Sequence, residues 1–215
     1  MSMNWLAHLY LSEPTPQFRL GNLLPDLISA SQLADLPEPF QRGIRQHRQI
    51  DRFTDTHPRV NSCLQRFPAP YRRYAGILTD VYFDHFLARD WSKYCDVPLP
   101  QFIAEFYRDI ETCLPELPAE AAQRLHRIRD ENWIGTYHTI EGITDILSRI
   151  SRRFRRPFDL TGSVAIFQKH ESALWHDFDA FFPELMAHVQ HSSTKGVARP
   201  VVRTGKLISR TGSET

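Results

Sequence analysis

Glycine and cysteine are scarce in this chain, and the patterns that make strands are missing. There are nine glycines in 215 residues, with no Asn-Gly or Asp-Gly pair and no alternating β-branched run, so nothing signals a β-hairpin. The three cysteines, Cys63, Cys95 and Cys113, form an odd set without CxxC spacing. That argues against a disulfide framework and a zinc ribbon, and makes a reducing cytoplasm the expected compartment. No apolar run approaches the roughly 20 residues of a membrane span. The opening MSMNWLAHLYL has no basic leader and no small-residue cleavage site, so no secretory signal is expected. Charge almost cancels, at +1, but unevenly: from Ser192 onward five Lys/Arg face one Glu, with no aromatic residue. Such a tail buries little apolar area. Residues 192–215 are expected to be a disordered basic extension, with nucleic-acid binding not its expected use, on a single domain of residues 1–191.

What the chain does have is apolar content, 41% hydrophobic and 12% aromatic, set at helical spacing. Leu20, Leu23, Leu24, Leu27 and Ile28 make one stripe; Phe102, Ile103, Phe106, Ile110 and Leu114 another; Phe167, Leu174, Phe178, Phe181 and Leu185 a third. Prolines punctuate the segments between. The expected fold is all-α, a compact single-domain bundle of seven or eight helices.

The stretch HRQIDRFTDTHP, residues 47–58, carries the first candidate chemistry. On a helix over 38–56, Phe40, Ile44, His47, Asp51 and Thr54 fall within about 40° of one line, with Asp55 beside it. The line begins apolar, so it faces the core, and then turns into imidazole and carboxylate. Arg45, Arg48 and Arg52 largely occupy the other side. A buried carboxylate needs a partner or a cation; a buried His–Asp hydrogen bond and a metal or phosphate site both satisfy that.

GILTDVYFDHFLARDW, residues 76–91, is apolar almost all round and therefore central. Yet Asp80 and Asp84 stand one turn apart on it, with His85 adjacent. Two ionised carboxylates in a core repel unless a cation lies between them. The expectation is two facing helices, each contributing His and Asp, around one or two divalent cations. Oxygen and imidazole donors without thiolate suit Mn²⁺, Mg²⁺, Fe²⁺ or Zn²⁺. Asn22 and Asp26 lie one turn apart but off the leucine stripe, which makes Asp26 a surface or capping residue on periodicity alone. His8, in an apolar segment, reads as a core histidine.

Together these blocks make the sequence resemble the acyl carrier protein phosphodiesterases, also called ACP hydrolyases. The carriers of the likeness are MNWLAHLYL at 3–11, GNLLPDL at 21–27, GIRQHRQIDRFTD at 43–55, DVYFDHFLARDW at 80–91 and SRISRRFRRP at 148–157, in order over most of residues 3–190. That family is similar to an outlying branch of the HD phosphohydrolases, which implies an HD-like helical fold. The resemblance further implies a Mn²⁺-dependent hydrolase acting on holo acyl carrier protein. Such an enzyme cleaves the phosphodiester between 4′-phosphopantetheine and a serine, giving the apo protein. It points to His8, Asn22, Asp26, His47, Asp51, Asp55, Asp80, Asp84 and His85, and so raises Asp26 and His8 above what periodicity assigns them. One departure is that an adjacent His-Asp pair occurs only at His176–Asp177, which is expected to be a chance dipeptide on a solvated side.

The working assignment places Asp26, His47, Asp51, Asp80 and Asp84 around the metal, with His8 and His85 as further ligands or just behind them. Arg48 is expected to reach the phosphate, and His138 is the candidate general acid. Arg149, Arg152, Arg153, Arg155 and Arg156 suit either a helix C-terminus, where the macrodipole favours cations, or a docking patch for an acidic carrier protein. The rival functions are an HD-type hydrolase of nucleotides or other phosphoesters, and a non-catalytic helical binding module.

Overall fold

A computed structural model describes residues 5–193. The amino-terminal four residues, and the basic segment expected to be disordered beyond Ser193, lie outside the described residues. Among the described residues every regular element is helical, as the absence of strand signals predicts. Ten α-helices follow in order: α1 (Trp5–Tyr10), α2 (Pro16–Gly21), α3 (Ala30–Ala34), α4 (Glu38–Thr56), α5 (Pro58–Gln65), α6 (Ala75–Arg89), α7 (Leu99–Cys113), α8 (Ala119–Asp130), α9 (Ile140–Ser151) and α10 (Ser163–Ser193). None is long and apolar enough to cross a membrane. The expected boundaries of α4 and α6 are found nearly to the residue. The number of helices is higher than the seven or eight expected, because the chain before residue 35 is divided into three helices of only five or six residues, and the leucine stripe after residue 20 is not one helix. α2 stops at Gly21, and Leu24–Asp26 form a single 3-10 turn containing Pro25. The stripe's apolar residues are all buried nonetheless. Proline also begins helices: Pro16, Pro39, Pro58 and Pro100 stand in the first two positions of α2, α4, α5 and α7, where a missing N–H costs nothing.

α6 is the central helix. It packs against α1, α5, α9 and α10 and is buried continuously from Val81 to Ala88. α10 lays Phe167, Leu174, Phe178, Phe181 and Leu185 into the core as its periodicity predicts. The expectation for His176–Asp177 holds only for the histidine. Asp177 is buried and pairs with Arg66 at 2.6 Å and Arg59 at 3.4 Å, with the Cys63 thiol 3.6 Å away. It lies at the edge of the apolar stripe, where α5 packs on α10 and brings two arginines to it, so the carboxylate is interior and compensated.

The contact that positions the site is between α2 and α4. At Gly21 an added Cβ would meet the Phe40 carbonyl, and at Gly43 it would meet the Phe18 carbonyl. The two backbones therefore touch, which no residue larger than glycine permits. Gly43→Ala is expected to destabilise the protein by about 1–3 kcal/mol by wedging the helices apart, read as a lower denaturation midpoint.

A second anchor closes the C-terminal end of α6. Asp90 accepts hydrogen bonds from Trp175 on α10 at 2.8 Å, Lys93 at 3.0 Å and Arg89 at 3.1 Å. Burial would raise its carboxyl, but these donors hold it down at about 2. Because the folded value lies below the unfolded one of about 3.9, the stabilisation is complete above that value and is lost as pH falls through the folded one. Asp90→Asn should therefore lower the melting temperature at pH 7. The gap from wild type should close between about pH 4 and pH 2 when melting is followed across pH.

Candidate metal centre

Four segments meet at one buried polar point. α1 supplies His8, the end of α2 supplies Asn22, the 3-10 turn supplies Asp26, and α4 supplies His47 and Asp51. The His8 and His47 rings stack with centroids 4.3 Å apart. Nε2 of His8 lies 3.2 Å from Asp51 Oδ1, and Nε2 of His47 lies 3.1 Å from Asp51 Oδ2. One ligand atom from each of the three residues falls within 4.8 Å of the others. Both histidines are buried, while Asp51 is partly exposed. The cluster therefore opens to solvent on the carboxylate side.

Asn22, fully buried, sets the direction of both rings. Its side-chain oxygen lies 2.9 Å from His8 Nδ1, and its backbone carbonyl 2.9 Å from His47 Nδ1. The Asn22 amide nitrogen donates to the His8 carbonyl, to Ser12 Oγ and to Gln46 Oε1, each at 2.9 Å. A main-chain carbonyl can only accept, so the amide nitrogen must face His8 O and the amide oxygen must face the ring. Each Nδ1 is therefore a donor, and each Nε2 is turned towards Asp51.

These residues fit a divalent cation. His8 Nε2 and Asp51 Oδ1 are not aligned as a hydrogen bond, and neither has another hydrogen-bond partner among the described residues. Leaving a buried polar atom unsatisfied costs about 1–3 kcal/mol, and one cation would satisfy both atoms at once. Two imidazole nitrogens and a carboxylate oxygen, with an acceptor on the far side of each ring, are the donor set and support that such ions take. The electrostatics agree. Burial works against the charge on Asp51, but His47 and His8 hold its carboxyl far below the usual range. Burial likewise opposes charge on His47, and Asp51 and Asp26 outweigh it and push the ring up. Asp26 is buried, not exposed as its place off the leucine stripe predicts. The Trp5 indole donates to it at 3.0 Å, and its carboxyl is raised by burial against the pull of His47 and His8. The chain turn at Pro25, invisible to a helical wheel, swings it inward.

The other expected ligands are placed differently. Asp84 is fully buried, but its oxygens accept the backbone N–H of Leu6 at 2.8 Å and of Ala7 at 2.9 Å, and the Tyr137 hydroxyl donates to it. Asp80 is partly buried and acts electrostatically on Asp84 and Tyr137. Asp84 itself has amides and a hydroxyl as partners, and burial still outweighs them and pushes its carboxyl well above the ordinary value. α6 thus meets the start of α1, and it is α1 that faces α4. His85 turns the other way. Its Nδ1 meets the Tyr137 carbonyl at 2.8 Å and its ring stands edge-on to Phe167, while burial lowers its basicity. His138 is exposed, contacts the Gly135 carbonyl at 2.8 Å, and lines a separate depression with Ile103 and Tyr107. Asp55 and Arg48 are exposed on α4. Arg149, Arg152 and Arg153 line a pocket beside Trp5, whereas Arg155 and Arg156 are exposed after α9. The sequence reading missed Trp5, Gln46 and Tyr137, which orient groups from distant segments and leave no periodic trace.

A helical protein with a buried His–His–carboxylate cluster, its imidazoles aimed by one asparagine, is the class that fold and site define. The family model described as "Acyl carrier protein phosphodiesterase" matches residues 3–185. Curated relatives of that name include proteins from Yersinia pestis (34% identical, covering 88% of this chain and 98% of the relative) and Yersinia enterocolitica (35%, covering 87% and 98%). One from Shigella boydii is 33% identical, covering 89% of this chain and all of its own. The chain belongs to the acyl carrier protein phosphodiesterase family. No solved structure matches it, so the further likeness to HD phosphohydrolases gains no support from that side.

Replacing Asn22 with alanine should strip His8 Nδ1 of its acceptor and remove one of the two donors to the His8 carbonyl, leaving Ser12 Oγ. A loss of about 1–3 kcal/mol in unfolding free energy is expected, measured by denaturant titration with far-UV dichroism confirming that the helices persist.

Proposed function

We propose that this protein hydrolyses the phosphodiester joining 4′-phosphopantetheine to a serine of holo acyl carrier protein, releasing the apo protein and 4′-phosphopantetheine. Family membership and the names of the relatives support acyl carrier protein as the substrate. The observation that carries the chemistry is the convergence of His8 Nε2, His47 Nε2 and Asp51 on one buried point where two polar atoms lack hydrogen-bond partners among the described residues. His8, His47 and Asp51, with Asp26 beside them, would hold the cation, Mn²⁺ being the first choice and Mg²⁺, Fe²⁺ or Zn²⁺ the alternatives. When bound, a divalent cation supplies Lewis acidity towards a phosphate oxygen and makes a water acidic enough to lose its proton near neutral pH.

The chain's own residues do the rest. Asn22 keeps both Nδ1 atoms engaged, so that only Nε2 of each ring faces the reaction centre. Asp84 fixes the start of α1 and with it the reach of His8. Arg48, exposed one turn before Asp51, is available to the phosphate. Over the reaction one water is consumed: its hydroxyl ends on phosphorus, the phosphorus–serine oxygen bond breaks, and a proton ends on the serine oxygen. Arg152, Arg155 and Arg156, exposed together around the end of α9, would meet an acidic face of the carrier protein.

The test is intact mass spectrometry of holo acyl carrier protein incubated with wild type or His47→Ala, with Mn²⁺ or with EDTA. Loss of the phosphopantetheine mass is expected only with wild type and Mn²⁺, the variant keeping its helical dichroism. Equal cleavage by His47→Ala, or in EDTA, would remove the metal assignment. No cleavage under any condition, with free nucleotides hydrolysed in its place, would hand the chain to another phosphoester.

A further inference from the structure

Next to the cluster lies a pocket of about 480 Å³ between α8 and the end of α9. One wall is apolar: Leu27, Ile128 and the paired indoles of Trp5 and Trp133, stacked at 5.8 Å. Trp5 is also the residue that holds Asp26, and Leu27 follows Asp26 in the chain, so this wall is continuous with the His8–His47–Asp51 centre. Five arginines line the remainder together with Glu120, Gln123 and Glu131. Arg124 is paired with Glu120 at 2.7 Å, and Arg149 with Glu131 at 3.4 Å. Arg127, Arg152 and Arg153 have no ion-pair partner among the described residues. Arg153 is crowded: burial and the neighbouring Arg124 and Arg127 oppose its charge, and Asp26 draws it the other way. Uncompensated guanidiniums gathered in a hollow favour an anionic occupant, and phosphate is the anion their forked geometry fits.

We propose that this pocket receives the 4′-phosphopantetheine half of the substrate, the pantetheine arm lying along Trp133, Leu27 and Ile128, with Arg127 and Arg153 meeting from the pocket side the same phosphate that the His8–His47–Asp51 centre addresses. The assignment rests on the function proposed above and makes α8, which carries Arg127, part of the substrate site. Shape favours the arm over the polypeptide. A helix of the carrier, about 10 Å across, would ride over such a hollow, whereas a flexible chain enters it; the volume is that of a small-molecule site. The mixture of an apolar wall and a cationic rim matches an amphipathic arm with one anionic end.

The experiment is calorimetric titration of the full-length protein, without added metal, by 4′-phosphopantetheine and by pantetheine. Wild type is expected to bind the phosphorylated arm and to bind pantetheine at least about tenfold more weakly, the scale of one lost charge-assisted hydrogen bond. The double variant Arg127→Ala/Arg153→Ala should lose at least as much affinity. Arg127→Lys/Arg153→Lys serves as the second variant if the first does not fold, and should bind more weakly than wild type because the fork is gone. Equal affinity in wild type and variants overturns the proposal. So does binding of a Glu-rich peptide, abolished by the same variants, in the absence of phosphopantetheine binding. The same wild-type sample, now with Mn²⁺ added, is also tested for cleavage of holo acyl carrier protein. Cleavage without phosphopantetheine binding removes the pocket assignment and leaves the reaction; binding without cleavage supports an anion pocket and removes the reaction.

Discussion

Two hydrogen bonds made by one buried asparagine organise the centre of this protein. The Asn22 side-chain oxygen and main-chain carbonyl each take the Nδ1–H of a histidine, one from α1 and one from α4. A histidine without that constraint has two tautomers and can turn its ring; with it, each has one nitrogen committed and one left to act. Asn22 can reach both rings only because α2 ends at Gly21, where the chain lies directly on α4. The backbone contact at Gly21 and Gly43 and the orientation of the imidazoles are thus one constraint seen at two levels.

Asp84 serves the same end from the opposite side. Its carboxylate grips the first amides of α1, a helix of only six residues that is too short to hold its own shape. Burial pushes the Asp84 carboxyl well above its ordinary value in spite of these donors, and each hydrogen bond still contributes about 0.5–1.5 kcal/mol, which helps to pin such a segment to the central helix. Asp84 of α6 therefore acts on His8 through α1. His85, one position along, faces Phe167 and the Tyr137 carbonyl, because successive residues on a helix point about 100° apart.

The surroundings of the cluster are as asymmetric as its ligands. Asp51 opens towards solvent, Asp26 leans on Trp5, and Trp5 stacks on Trp133 beneath Arg149. An apolar, aromatic wall therefore runs from the His–Asp centre to the arginine-lined hollow. A substrate that is anionic at one atom and amphipathic beyond it finds both features side by side.

Much of this was legible in the sequence. The all-helical class followed from missing strand signals and 3.6-residue spacing, and α4 could be drawn on paper with His47 and Asp51 facing inward. Local periodicity is enough for that, because burial on one helix face is a property of the chain's own repeat. Family resemblance, not periodicity, singled out His8 and Asp26. What the sequence left open was which faces meet. His8 and His47 stand thirty-nine positions apart, Asp26 turns inward at a proline the wheel cannot model, and Asp84 ends on main-chain amides that have no side-chain signature. Arg127 lies on α8 and Arg153 in the turn after α9, and they share a pocket only once α8 and α9 are packed. The sequence by itself determined the helices and the chemical groups they carry. Tertiary packing alone decided which of those groups converge, because distances between helices depend on contacts far apart in the chain.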